Sequence, residues 1–162
     1  MRLGEPGESI ALIQLVPFSL DEIWYALDVR VVERVLPLVR VARLPDAPPI
    51  ALGAINVHGD VVPVVDIRQR LGFPSHDQPL SARLLVARTS RRRLAFPVDE
   101  VGSVREIDAG AVIPPETLLP GLRHLEGIVA LPEGLLFIED LDAFLGLDEE
   151  ARLTAALERV GA

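Results

Sequence analysis

Apolar residues in this chain gather in short runs broken by glycine, proline and aspartate, and that rhythm predicts strands. Residues 9–16 form one such run, ending at Pro17. Asp21 and Glu22 mark a turn, and residues 23–35 form a second β region that alternates through Trp24, Ala26 and Asp28 before turning apolar. The pairs 83–89 and 94–98 predict a hairpin around Ser90 and Arg91–Arg93, and 101–107 a further strand. Residues 44–49 cannot be regular structure, because Pro45, Pro48 and Pro49 each remove an amide donor. Only residues 148–160 show helical spacing, with Leu153, Leu157 and Val160 on one face behind Asp148 as a cap.

The rest of the chain is organised around residues 53–72, GAINVHGDVVPVVDIRQRLG. Val57 leads into His58-Gly59-Asp60, where a glycine can take the positive φ of a tight hairpin turn. Val61, Val62, Val64 and Val65 suit a buried strand, and Pro63 places that strand at an edge or beside a bulge. Asp66 can cap a short helix that Gly72 closes. Residues 127–146 repeat this unit without a gap: Gly127 matches Gly53, Leu131 matches Val57, Ile138 matches Val64 and Asp140 matches Asp66. The repeat predicts two similar small β modules in one domain. The break at 73–81 is the expected boundary, and 108–126 a long crossover loop.

With 49% hydrophobic but only 4% aromatic residues, the core must be built from Leu, Val, Ile and Ala. Trp24 and Tyr25 are expected at its edge. The absence of cysteine removes disulfides, thiolate chemistry and Cys-based zinc sites. Residues 1–8 read as a loose lead-in, without a signal-peptide pattern or a membrane-length apolar run, which predicts a cytoplasmic protein. A net charge of −8 argues against general nucleic-acid binding and membrane attachment. The arginine run at 91–93 reads as a solvated loop.

Candidate chemistry is sparse. His58, His76 and His124 lie far apart, and no nucleotide-binding loop, nucleophile elbow or helical zinc motif is present. Asp66 and Asp140 could form an acid pair, but their positions after strands favour capping. No metal, cofactor or catalytic residue is expected, and the residues describe a β scaffold that acts by binding.

Gly53-Ala54-Ile55-Asn56-Val57-His58-Gly59 followed by Val62-Pro63-Val64-Val65-Asp66-Ile67-Arg68 resembles the hallmark of the CheW-like domain family of coupling proteins. The resemblance extends to Tyr25-x-Leu27-x-Val29, to Arg43 through Pro48 and to Val98-Asp99-x-Val101. It implies a mainly β fold of two packed five-stranded SH3-like barrels over residues 9–147, with a short helix at 148–160. Module one would span about 18–80 and module two 81–147, with the N-terminal strand crossing between them. It also implies two partners: the regulatory domain of a CheA-type histidine kinase and the cytoplasmic tip of a methyl-accepting chemotaxis receptor. Val32, Arg34, Gly53, Asn56, His58 and Gly59 fall on the expected partner-binding region.

The chain departs from the family pattern at three places. His58 stands where arginine is usual, Arg34 where an acid is usual with Glu33 one earlier, and Ser103 where an acid is common. Histidine forks less than arginine, so a bidentate carboxylate contact would weaken there. The alternatives are a CheW-like adaptor of another pathway (pilus motility or second-messenger output) and a small barrel binding nucleic acid through Arg88 and Arg91–Arg93. An enzyme using Asp66 or Asp140 would need both carboxylates in one cleft.

Overall fold

A computed structural model describes residues 11–74, 82–118 and 124–161. The expected lead-in, His76 and most of the break at 73–81 lie outside the described residues. In chain order the strands are β1 (Leu12–Leu20), β2 (Ile23–Asp28), β3 (Val32–Pro37), β4 (Ala51–Val57), β5 (Asp60–Val65), β6 (Arg83–Arg88), β7 (Arg93–Val98), β8 (Glu100–Val101), β9 (Arg105–Asp108), β10 (Leu125–Leu131) and β11 (Gly134–Glu139). Three helices accompany them: α1 (Ile67–Leu71), α2 (Pro115–Leu118) and α3 (Leu147–Gly161). The expected second β region is divided by a 3₁₀ turn at Val29–Val31, because the Asp28 carboxylate accepts from the Arg30 amide and bends the chain there.

The strands form a five-stranded sheet, ordered β3-β6-β7-β5-β4, and a six-stranded sheet, ordered β10-β11-β2-β1-β8 with β9 also on β1. Each sheet closes on itself through one bridge. Ala42, beyond β3, exchanges backbone hydrogen bonds of 2.9 and 2.8 Å with Ala54 of β4. Ile113, beyond β9, does the same with Ile128 of β10 at 2.8 and 2.9 Å. The repeated unit behaves alike in both halves. Register shifts fall between Ala51 and Gly53 and between Leu125 and Gly127, and the parallel contacts Val64↔Ala95 and Ile138↔Ala26 correspond. Pro63 sits beside the first of these bulges, on a strand with neighbours on both sides rather than at an edge.

The sheets divide the chain differently from a cut near residue 80. The hairpin β6–β7 belongs to the first sheet with β3–β5, while the N-terminal hairpin β1–β2 takes the corresponding place in the second. Each half thus borrows a hairpin from the other side of the expected boundary. Both faces of these hairpins are buried. Leu84, Val86 and Ala95 fill the first barrel with Ile55, Val57, Val62 and Val64, whereas Leu85, Ala87, Leu94 and Phe96 face the junction. Phe18, Leu20, Tyr25 and Leu27 meet them there, while Leu15 and Ala26 fill the second barrel. A strand buried on both faces loses its alternation, which is why residues 84–87 are continuously apolar.

Helix α3 begins one residue before the expected Asp148 cap and packs back on the junction. Leu153 and Ala156 are buried there, each such leucine contributing about 2 kcal/mol. Leu157 packs half-buried on the same core, so of the expected Leu153-Leu157-Val160 line only Val160, 49% exposed, leaves the packed face. Arg70–Glu149 and Arg92–Glu150 (2.7 Å) pin the helix to α1 and to the β6–β7 turn. The arginine run is therefore not wholly solvated: Arg92 and Arg93 are both engaged in ion pairs.

Candidate functional site

The turn between β4 and β5 is built for rigidity. Val57 pairs with Asp60 and leaves only His58 and Gly59 between the strands, at φ 51° and 92°. Two consecutive left-handed residues match the right-handed strand twist. The Asn56 side-chain oxygen accepts from the Gly59 amide at 2.8 Å and latches the turn from within. His58 adopts the left-handed region alongside the glycine, a conformation the sequence pattern assigned to glycine alone.

A bulge between Val32 and Arg34 on β3 exposes both Glu33 and Arg34. Arg34 Nη1 donates to His58 Nε2 at 2.6 Å. A guanidinium can only donate, so that ring nitrogen is the acceptor and the imidazole in this contact is neutral. Beside this pair, Glu33 receives Arg93 (2.7 Å) and Arg88 (3.0 Å), and Arg93 also reaches Asp60 at 2.9 Å. Desolvation pushes the Glu33 carboxyl upward, but Arg93 and then Arg88 outweigh it and hold the group below its ordinary value.

Four of the six expected partner-binding residues, Arg34, Asn56, His58 and Gly59, thus form one exposed cluster at the turn. The other two have different surroundings. Val32 is half-buried against the junction core. Gly53 is buried in the barrel closure, where a Cβ would lie 2.1 Å from the Ala42 carbonyl oxygen. Val35 and Val61, each 40% exposed, were not foreseen; Val61 pairs directly with Asn56 across the hairpin. Their signal was an apolar residue on the polar side of a strand.

The second barrel carries a counterpart of different chemistry. Arg105 on β9 pairs with Glu133 of the β10–β11 turn at 2.9 Å. Beside it lies an open groove of about 490 Å³ lined by Pro17, Trp24, Val104, Leu131, Leu135 and Leu136. Val104 and Leu135 are each 50% exposed, and Ser103 lies on the same wall. Trp24 packs at the edge of the second barrel's core, as expected.

Asp66 accepts from the Arg68 amide at 3.1 Å and Asp140 from the Asp142 amide at 3.0 Å, so each caps its own turn. Among the described residues no group of three or more His, Asp and Glu is placed to hold a metal. At the junction, His124 Nδ1 lies 3.1 Å from the buried Glu139 carboxylate. The hydrogen bond to Glu139 raises His124 above its ordinary value, and burial raises Glu139. Burial, with Glu139 and Asp21 nearby, pushes the Tyr25 phenol up to about 12.

Two joined small barrels, one ending in a latched cationic turn and the other in an apolar groove, define a β-barrel interaction module. The chain belongs to the CheW-like domain family, which it matches over residues 14–149. It is 26% identical to the chemotaxis protein CheW of Klebsiella aerogenes, over 90% of this chain and 88% of that one. It is also 26% identical to the CheW of Bacillus subtilis, over 88% of this chain and 91% of that one. Its fold resembles the scaffolding protein TtCheW from Thermoanaerobacter tengcongensis, with a TM-score of 0.78 at 26% identity, covering 86% of this chain and 96% of that one. Among the described residues no helix is long and apolar enough to cross a membrane.

Proposed function

We propose that this chain is a non-catalytic coupling adaptor in a bacterial chemosensory array, joining chemoreceptors to a CheA-type histidine kinase. The observation that carries this reading is the match to CheW over almost the whole chain, both barrels included. A bridge needs two separable surfaces, and the latched cationic turn and the apolar groove supply two of unlike chemistry on different barrels. The exposed cluster of Arg34, Asn56, His58 and Gly59 serves the kinase regulatory domain, with Val32 and Gly53 supporting it from beneath. The chain acts in the cytoplasm, associated with the membrane through the receptors.

The test is a pull-down with the kinase regulatory domain and the receptor tip from the same genome. Retention of both in one ternary complex is expected. Retention of neither overturns the adaptor reading and leaves the family and fold standing.

A further inference from the structure

Arg34 and Arg105 each reach a hairpin turn in their own barrel, although their ladder positions differ: Arg34 lies opposite Val86 and Arg105 opposite Leu15. Each lies on the strand before the closing bridge, β3 or β9, and each reaches the turn of the repeated hairpin. Their partners differ in charge. Arg105 is neutralised within the chain by Glu133 at 2.9 Å. Arg34 meets the neutral ring of His58, and among the described residues no carboxylate pairs with it.

The surrounding charges do not make up the difference. Glu33 is already shared between Arg88 and Arg93, and Asp60 is taken by Arg93. The Arg34 guanidinium therefore stands at the surface with one N–H on His58 and its remaining donors available to an incoming group. It is also well fixed. The β3 bulge sets its direction, and the turn that holds His58 is latched by Asn56. Val35, next to it on β3, and Val61, opposite Asn56 on β5, are exposed apolar residues of the same sheet.

We propose that Arg34 is a specificity-determining residue that receives an aspartate or glutamate side chain from the partner protein, an acid the second barrel supplies to itself through Glu133. The docked partner surface is one carboxylate set among apolar side chains. His58 supports the guanidinium by accepting a hydrogen bond without neutralising it, which leaves the charge for the partner. This inference rests on the adaptor reading, because it takes the kinase regulatory domain as the docked partner.

The experiment titrates that domain, from the same genome, against the full chain and its Arg34→Lys, Arg34→Gln and Arg34→Glu variants, by calorimetry at two salt concentrations. Arg34 is exposed, so all four proteins should melt together. The expected order of affinity is wild type, Lys, Gln, Glu, with Glu at least tenfold weaker than wild type and a shallower salt dependence in Gln. Lysine falls below arginine because it lacks the bidentate fork. Binding of Arg34→Glu within twofold of wild type, or tighter, overturns the inference and leaves the adaptor reading intact. Failure of the wild type to bind overturns both.

Discussion

Arg68 of α1 and Asp99, which joins β7 to β8, form an ion pair across the junction of the two barrels. The Arg68 side chain is only 2% exposed. Its Nε lies 3.6 Å from Asp21, whose own amide donates to Asp99 at 2.8 Å. Asp21 sits in the β1–β2 turn, so one guanidinium ties the end of the first repeated unit to both segments that enter the second sheet. Asp66 sets its direction by capping α1 two residues earlier. Three short turns thus meet on one buried charge at the junction of the two barrels.

Asp99→Ala should therefore destabilise the fold by about 3–5 kcal/mol, since removing one member of a buried pair leaves the other charge without its closest counter-charge. Arg68→Met, which removes the charge and keeps an apolar stem, should cost less. Equilibrium urea unfolding measures both. A loss below about 1 kcal/mol for Asp99→Ala would mean that the pair is not needed to hold the junction.

The repeat, both capped turns, the tight hairpins and the terminal helix were all legible, because glycine, aspartate and β-branched residues state local geometry directly. Which hairpin joins which sheet was not. Leu84–Ala87 and Tyr25–Leu27 are apolar on both faces, so their pattern is equally compatible with either barrel. The tight turn at His58 was legible from Gly59, whereas the residues expected to bind a partner came from the family resemblance, and no spacing announced that Arg34 would reach His58. Arg68 was read only as part of a motif, since sequence spacing gives no sign that Asp99 would fold onto it.

Gly53→Ala should unfold the first barrel at its seam. The added Cβ would lie 2.1 Å from the Ala42 carbonyl oxygen and 2.6 Å from Val41, and both are part of the closure. Backbone cannot yield there without losing the Ala42–Ala54 bridge, so a cost of about 3 kcal/mol or more is expected. Gly59→Ala meets nothing within 4 Å, and only its φ of 92° penalises it, by about 1 kcal/mol. Thermal melts of the two variants check the contrast; equal losses would place the effect in the φ values rather than in the close approach.

Asn56→Ala and His58→Glu separate turn geometry from recognition. The first removes the acceptor of the Gly59 amide and should cost about 1 kcal/mol of stability. The second keeps the latch and places an acid beside Arg34, reproducing the Arg105–Glu133 arrangement of the other barrel. It should spare the melting temperature and weaken kinase-domain binding by neutralising the guanidinium from within. Paired melts and titrations decide. Equal stability loss in both variants would remove His58 from the recognition surface.

The pair at the junction makes stability fall as pH rises. His124 is raised in the folded state by its hydrogen bond to Glu139, so its contribution is complete below histidine's unfolded value of about 6.5 and is lost as pH climbs through the folded value. Glu139 is raised by burial, which disfavours its ionised form in the folded state and again takes stability away with increasing pH. Since both groups act in the same direction, the protein should melt at a higher temperature at pH 6 than at pH 9. His124→Gln keeps a polar partner near Glu139 but cannot titrate, so its melting temperature should change less over that interval. Parallel melting curves against pH for the two proteins would show that the dependence does not arise from the His124–Glu139 pair.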